Sequence, residues 1–483
     1  MPPGPSRWVL FVVVLGTLMA SVDTTIVLLA FPTIAGSLSA PLTTVLWTIL
    51  IYLLVVSVLT TQAGRISDLL GHGRVYNLGF VVFTVGSALC GLAPTATSLV
   101  AFRGVQAVGG AFMVATGTAI LADHFPPSVR GRAFGFTTMG WNVGATLGIV
   151  LGGVLTTFFG WRYIFFINVP IGLVAVGIGY RVLGVGHRIK AHLDPVGMLL
   201  LGTLLALLVY GTTDFASSGP SAENLALVAL GAGLVGPFVW WERRTPQPTL
   251  ALGLFRSRLL SRSLLASFLQ SLGYLSVVFV LIMYLQGIRG LSPLDAALLL
   301  IPGYILSSGL APLAGRWADR YGAARFATLG IAFMLGGVLL YAQLRADTSY
   351  VLIALISLVT GIGGALFWPS NNKAVMHDVP PEHYGAVSGL LRTLTNSGTI
   401  GSYVLVITVA SLAVPREVAF EVFTGTGGLI GSVSAAFLAA VRSVFYVMAL
   451  VLLAAGALSA SRHRGSDRPV PASPSGAAPP RRP

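Results

Sequence analysis

Charge is what this chain lacks. Only 9% of its 483 residues are Asp, Glu, Lys or Arg, while 55% are hydrophobic, against roughly 25% charged in a soluble globular domain. That excludes an ordinary soluble enzyme. There is a single cysteine, Cys90, which excludes a disulfide framework and a cysteine-based metal site; inside an apolar run it reads as a buried structural thiol. None of the seven histidines lies deep in an apolar run, and neither a metal-ligand spacing nor a Walker phosphate loop is present. Haem ligation, zinc hydrolysis and ATP-driven pumping are therefore disfavoured, and no enzyme, resident metal or cofactor is expected. The net charge of +14 would suit nucleic acid. Its arginines, however, are spread through short loops and the tail with no contiguous basic face, so no nucleic-acid partner is expected and the excess reports topology.

What the chain has instead is apolar runs of 18 residues or more, the length an α-helix needs to cross a ~30 Å hydrocarbon layer. The fold class expected is an all-α polytopic membrane protein. Gly (58) and Pro (27) are abundant, and both are tolerated where neighbouring helices satisfy freed backbone groups. Apolar windows and their punctuation predict fourteen spans, at about 8–31, 43–63, 75–93, 97–121, 134–159, 163–184, 195–213, 222–241, 262–286, 294–314, 324–344, 349–372, 384–411 and 437–460. An even number puts both termini on one side. Of the 29 basic residues, 22 fall in that side's loops and tail, four in the opposite loops and three, Arg103, Arg392 and Arg442, inside spans. By the positive-inside rule both termini are cytoplasmic. The first span is too long for a signal peptide, and no small-residue cleavage site follows it. From Ser461 onward, Ser, Pro, Gly and Arg dominate, a composition that cannot bury enough surface to order itself.

The chain also repeats itself. Gly64-Arg65-Ile66-Ser67-Asp68-Leu69-Leu70-Gly71 with Arg74 follows span 2, and Gly315-Arg316-Trp317-Ala318-Asp319-Arg320-Tyr321-Gly322 with Arg325 follows span 10. In nearly the same register Gly109-Gly110-Ala111 matches Gly363-Gly364-Ala365, Asn142 matches Asn396, and Gly144 matches Gly398. Copies eight spans apart share one orientation, so the chain divides into residues 1–184, an N-terminal six-helix bundle; 185–261, two inserted helices with linkers; 262–460, a C-terminal six-helix bundle; and 461–483, a disordered cytoplasmic tail. Parallel halves of this kind are a transporter architecture, with a substrate site near the midplane between them.

These residues carry a resemblance. The Gly-x-x-x-Asp-x-x-Gly loop after span 2 resembles the cytoplasmic loop motif of the major facilitator superfamily, and its recurrence eight spans later resembles the 14-span drug:H+ antiporters of the EmrB/QacA type. Asp23-Thr24-Thr25-Ile26-Val27 through Pro32 is similar to that group's first-helix motif, and Arg103 with Gln106 and Gly109 to its fourth-helix motif. Trp161-Arg162-Tyr163-Ile164-Phe165 through Asn168, Pro170 and Gly172 is similar to its segment entering span 6. The resemblance covers about residues 8–460 and implies a proton-coupled multidrug efflux transporter. Two positions depart from the pattern: Ile149 stands where span 5 of the antiporters carries proline, and His72-Gly73 where the loop usually carries two basic residues.

Asp23 is the one acid of fifteen well inside a span. A carboxylate there is costly, and desolvation favours its protonated form, which makes Asp23 a candidate proton carrier with Arg103 as modulator. At 1.5 Å per residue, Asp23 lies about 12 Å and Arg103 about 9 Å below the outer ends of their spans, so the two can meet; a static ion pair locking two helices is the alternative. Gly140, Gly144, Gly148 and Gly152, with Gly153, give span 5 a smooth face for close helix packing, either a sliding contact between halves or static packing. Gly64, Arg65, Asp68, Gly71, Arg74 and Arg132, with Gly315, Asp319, Arg320, Gly322 and Arg325, are candidates for a cytoplasmic gate in which Asp68 pairs with Arg65, Arg74 or Arg132; a topology anchor is the alternative. A greasy cavity with a few polar or aromatic groups would draw on Trp141, Asn142, Gln270, Tyr274, Phe367, Trp368 and Asn396.

The leading expectation is proton-coupled export of amphipathic, lipophilic or cationic small molecules across a bacterial cytoplasmic membrane by a monomer, with protons as coupling ion. A dedicated exporter of one endogenous lipid, siderophore or antibiotic is the runner-up. A non-transporting membrane sensor is a third class, which His72, Gly73 and Ile149 keep open.

Overall fold

A computed structural model describes residues 5–184, 188, 192–245, 248, 257–376, 379, 384–413 and 432–462. Among them there is no strand. In hydrocarbon every backbone donor and acceptor must be satisfied within the segment, which leaves the helix as the spanning form for this composition. The elements of the first half are α1 (Pro5–Ser37), α2 (Leu42–Leu70), α3 (His72–Leu92), α4 (Ala96–His124), α5 (Pro127–Phe158), α6 (Tyr163–Phe166) and α7 (Asn168–Val182). The insert forms α8 (Pro195–Ser218), α9 (Ala222–Gly233) and α10 (Val235–Glu242). The second half has α11 (Arg258–Tyr274), α12 (Val277–Ile282), a π-helical turn (Met283–Ile288), α13 (Pro293–Tyr321), α14 (Ala323–Tyr341), α15 (Tyr350–Met376), α16 (Tyr384–Ala413) and α17 (Ser432–Ala460).

Thirteen spans among the described residues are long and apolar enough to cross a membrane. The remaining long helix, α16, occupies the position of the predicted span 384–411 but carries Arg392, Thr393, Thr395, Asn396, Ser397 and Thr399 in its middle. This is a multi-pass membrane protein. Ser461 and Arg462, which composition places in the tail, fold onto the second half instead, where the buried Arg462 donates to Ser263 Oγ (3.0 Å) and Asn371 Oδ1 (2.8 Å). Residues 463–483 lie outside the described residues.

The sequence repeat reappears as a repeat of packing. α1 lies on α5 as α11 lies on α16, α3 on α4 as α14 on α15, and α2 on α4 as α13 on α15. Glycines permit the same approaches in both copies. A Cβ on Gly144 would come within 2.8 Å of Leu18 O in α1, and one on Gly398 within 2.5 Å of Phe268 O in α11. The loop motifs end alike too: Gly71 (φ 100°, ψ 129°) and Gly322 (φ 101°, ψ 127°) stop α2 and α13. That backbone conformation is open to glycine and costly for other residues.

The halves meet along α5–α13 and α2–α16. At the end away from the termini they are fastened further: Phe31 of α1 packs edge-on against Phe279 of α12 with centroids 5.1 Å apart. There Gln286 in the π-helical turn donates to Leu29 O (3.1 Å), and Leu294 N donates to Thr157 Oγ1 (3.2 Å). The inserted α8 lies beside the α2–α16 seam and touches both helices. It is held there by Trp47 against Tyr210 (6.2 Å) and by Gln62 Oε1, which accepts from Asp194 N (3.1 Å).

Candidate functional site

The first half encloses a polar network in an apolar interior. α1 brings Asp23, α2 Thr48 and Tyr52, α3 Ser87 and Cys90, and α4 Arg103 with Gln106, which share one face of α4 because they are three residues apart. Asp23 and Gln106 are 0% exposed and Arg103 2%. Arg103 Nη1 donates to Asp23 Oδ2 at 2.6 Å and to Gln106 Oε1 at 2.7 Å, and Arg103 Nε donates to Thr48 O at 3.0 Å. Gln106 Nε2 donates to Asp23 Oδ1 (2.8 Å) and Ser87 Oγ (2.7 Å). The guanidinium carbon lies 4.4 Å from the Tyr52 ring centroid and 5.7 Å from that of Phe165.

Two features of this network matter chemically. Both Asp23 oxygens are satisfied and its charge is matched, which a carboxylate deep in a membrane requires. Gln106 joins both members, accepting from Arg103 and donating to Asp23. If Asp23 takes a proton, Arg103 therefore keeps the Gln106 and Thr48 oxygens and two aromatic faces. Nothing in the spacing of the sequence indicates Thr48, Tyr52 or Ser87 as partners; they arrive from two other helices.

The glycine face of α5 packs on α1 within the same half: a Cβ on Gly148 would lie 1.9 Å from Thr25 Oγ1 and 2.8 Å from Val22 O, and one on Gly152 2.8 Å from Ile26 O. Gly140 likewise faces Val14. The contact between halves falls to Gly153 instead, whose added Cβ would lie 2.8 Å from Ala297 Cβ in α13. The smooth face that sequence spacing offers to the other half is thus occupied by α1. Ile149, in place of the expected proline, is fully buried in the apolar core.

In the loop motif Asp68 pairs with His72 rather than with an arginine: His72 Nε2 lies 2.9 Å from Asp68 Oδ1 and His72 Nδ1 2.7 Å from Asp123 Oδ2. With a carboxylate at each ring nitrogen, His72 can donate to both only as imidazolium, so it supplies a cation where a basic residue was expected. Arg65 turns to the insert and donates to His192 O (3.3 Å) and Pro248 O (2.6 Å). Arg74 and Arg132 are exposed. In the second copy Asp319 pairs with Lys373, Arg320 lies over Tyr321, and Arg325 is exposed. Gly64 and Gly315 have no atom within 4 Å of an added Cβ.

The aromatic and amide candidates separate into two groups. Phe367 and Gln270 are buried inside the second half. Phe367 packs edge-on against Trp368 (5.3 Å), and Gln270 Nε2 donates to Met334 Sδ (3.3 Å). Trp141, Asn142, Tyr274 and Trp368 are partly buried, and Asn396 is 9% exposed. Trp141 is brought across the junction of the halves to Arg392 of α16, whose Cζ lies 4.6 Å from its ring centroid. Among the described residues no group of three or more His, Cys, Asp or Glu is placed to hold a metal ion.

With this geometry in hand, three comparisons bear on it. The family model described as the Major Facilitator Superfamily matches residues 13–402. The riboflavin transporter RibZ of Clostridioides difficile is 30% identical over 393 residues, covering 81% of this chain and 85% of that protein. The putative multidrug resistance protein MdtD of Salmonella heidelberg is 32% identical over 382 residues, covering 78% and 81%. In three dimensions a bacterial homolog of the human lysosomal transporter Spinster superposes with a TM-score of 0.69 at 17% identity, covering 98% of this chain and 100% of that one, a likeness of fold.

Proposed function

Because the chain belongs to the major facilitator superfamily, whose members are transporters and not enzymes, we propose that it exports amphipathic or lipophilic compounds across the bacterial cytoplasmic membrane in exchange for protons. Its two bundles alternate access to a site between them, its termini are cytoplasmic, it works as a monomer, and protons are its only coupling ion. The 14-span drug:H+ antiporters of the EmrB/QacA type are its proposed place in the family. The inserted pair between repeated halves and the name of the Salmonella relative, a putative multidrug resistance protein, support that place.

The observation that carries the coupling is the Asp23–Arg103–Gln106 network. Protonation of Asp23 removes the charge that holds Arg103, and Gln106 Oε1 and Thr48 O retain the guanidinium. When the proton arrives, the guanidinium thus loses its counter-charge but keeps two oxygen acceptors. Each proton entering down 100 mV supplies about 2.3 kcal/mol, and each unit of pH difference about 1.4 kcal/mol more, enough for substantial gradients of an exported compound.

The test is a proteoliposome assay with an imposed pH gradient and an internal pH dye, in which lipophilic compounds are added to wild type and Asp23→Asn. Substrate-induced proton movement lost in the mutant, with exchange retained, is the expected result. Normal gradient-driven transport by Asp23→Asn would remove this carboxylate from the mechanism. A second reading, a carrier dedicated to one endogenous compound, is favoured by the relative named a riboflavin transporter; proton movement with a single compound of the panel would select it.

A further inference from the structure

Three arginines lie inside the predicted spans, and two have acceptors for their N–H groups. Arg103 pairs with Asp23 at 2.6 Å. Arg442 donates through Nε and Nη2 to Leu344 O at 3.2 and 3.0 Å. Arg392 is different. It stands eight residues from the start of α16, about 12 Å along the helix at 1.5 Å per residue. Among the described residues no carboxylate and no hydrogen-bond acceptor is placed against its five N–H donors. It reaches from α16 in one half to the ring of Trp141 on α5 in the other.

A guanidinium held by one aromatic face, with its planar fork of donors unassigned, matches an oxyanion in shape and charge. An intramembrane cation is costly unless it faces a partner or a water-filled cavity. Asp23, the acid well inside a predicted span, is committed to Arg103 and Gln106, so it does not answer Arg392. The junction between the halves thus carries one positive charge beside an indole, an environment that repels a lipophilic cation and attracts an aromatic anion.

We propose that Arg392 and Trp141 form the subsite for the anionic group of the substrate, a carboxylate, sulfonate or phosphate on an aromatic amphipath. The proposal rests on the transport reading above and narrows its substrate class from amphipaths of any charge to those bearing an oxyanion. The guanidinium takes the oxyanion, and the indole lies beside the adjoining ring. The contact spans both halves, so a bound anion bridges the elements that must move relative to each other.

The probes are pyrenebutyrate and its methyl ester, which differ in charge but share the aromatic body. Binding to the full chain in zwitterionic nanodiscs is read by energy transfer from tryptophan to pyrene, with empty nanodiscs as control. The acid is expected to bind at least about tenfold more tightly than the ester, the order of one charge-assisted contact. Arg392→Gln brings the acid to the level of the ester and leaves the ester unchanged. Equal affinities in the wild type, or a preference for the acid that survives Arg392→Gln, would overturn the subsite. If Arg392→Gln binds neither probe, Arg392→Lys decides: a retained acid preference supports the subsite and its loss refutes it. In proteoliposomes, proton movement with the ester but no acid preference counts against the subsite alone. Absence of proton movement with either probe, alongside an intact acid preference, counts against the coupling alone.

Discussion

Replacing Asp23 with Asn preserves shape and removes a charge, and the structure specifies what that costs. Asp23 accepts twice, from Arg103 Nη1 at 2.6 Å and from Gln106 Nε2 at 2.8 Å, whereas an amide has one acceptor and one NH2 group. Whichever way the substituted amide is turned, one donor meets another. Flipping Gln106 moves the mismatch onto Arg103 Nη1 without removing it. The guanidinium, 2% exposed, loses its counter-charge, and breaking a buried pair in this way destabilises by about 3–5 kcal/mol. Arg103→Gln alone strands the carboxylate and should cost about the same. The double variant leaves a neutral amide network, so a coupling of about 0.5–3 kcal/mol should return. The assay is unfolding of the full chain in mixed micelles, followed by tryptophan fluorescence and paired with substrate-driven proton release in proteoliposomes. Strictly additive losses would refute the coupled pair. Recovered stability with proton release still absent assigns Asp23 to coupling; recovery of both makes it a fastener between α1 and α4 and refutes the proton role.

The remaining predictions address packing and the loops. Gly148→Ala places a Cβ 1.9 Å from Thr25 Oγ1 and 2.8 Å from Val22 O, so the thermal midpoint should fall by the equivalent of about 1–3 kcal/mol; an unchanged midpoint would contradict the α1–α5 contact. Gly64→Ala meets nothing within 4 Å and lies within α2, so stability should be unchanged or raised by up to about 1 kcal/mol. Gly71→Ala and Gly322→Ala both force φ near 100° on a residue with a Cβ and should each cost about 1–3 kcal/mol; a loss at one site and none at the other would deny the structural repeat. Asp68→Asn frees His72 from one of its two carboxylates and should slow transport without altering substrate range, measured as relative rates across a panel of compounds. A changed ranking would place the loop in substrate recognition.

Much of the fold was legible because a membrane leaves so few options. Apolar runs long enough to cross hydrocarbon had to be helices, and the repeated Gly-x-x-x-Asp-x-x-Gly loops required two like-oriented halves, which the structure renders as matching packing and matching dihedrals at Gly71 and Gly322. The meeting of Asp23 with Arg103 was within reach, since each depth follows from residue count alone. The partners of that pair were not. Thr48 and Ser87 are ordinary hydroxyl residues on two other helices, and only packing shows which of many such groups faces inward. The same holds for His72, a departure from a motif in one dimension and, in three, a cation between Asp68 and Asp123. Spacing showed that Gly140 to Gly152 formed one face of a helix, but a period cannot name the neighbour; tertiary structure gave that face to α1 and left Gly153 for the other half. Arg392 was visible as a charge inside a span. That among the described residues no acid answers it, against Trp141 at the junction of two bundles, depends on where the acids and carbonyls around it lie, and a linear sequence does not contain that distance information in readable form.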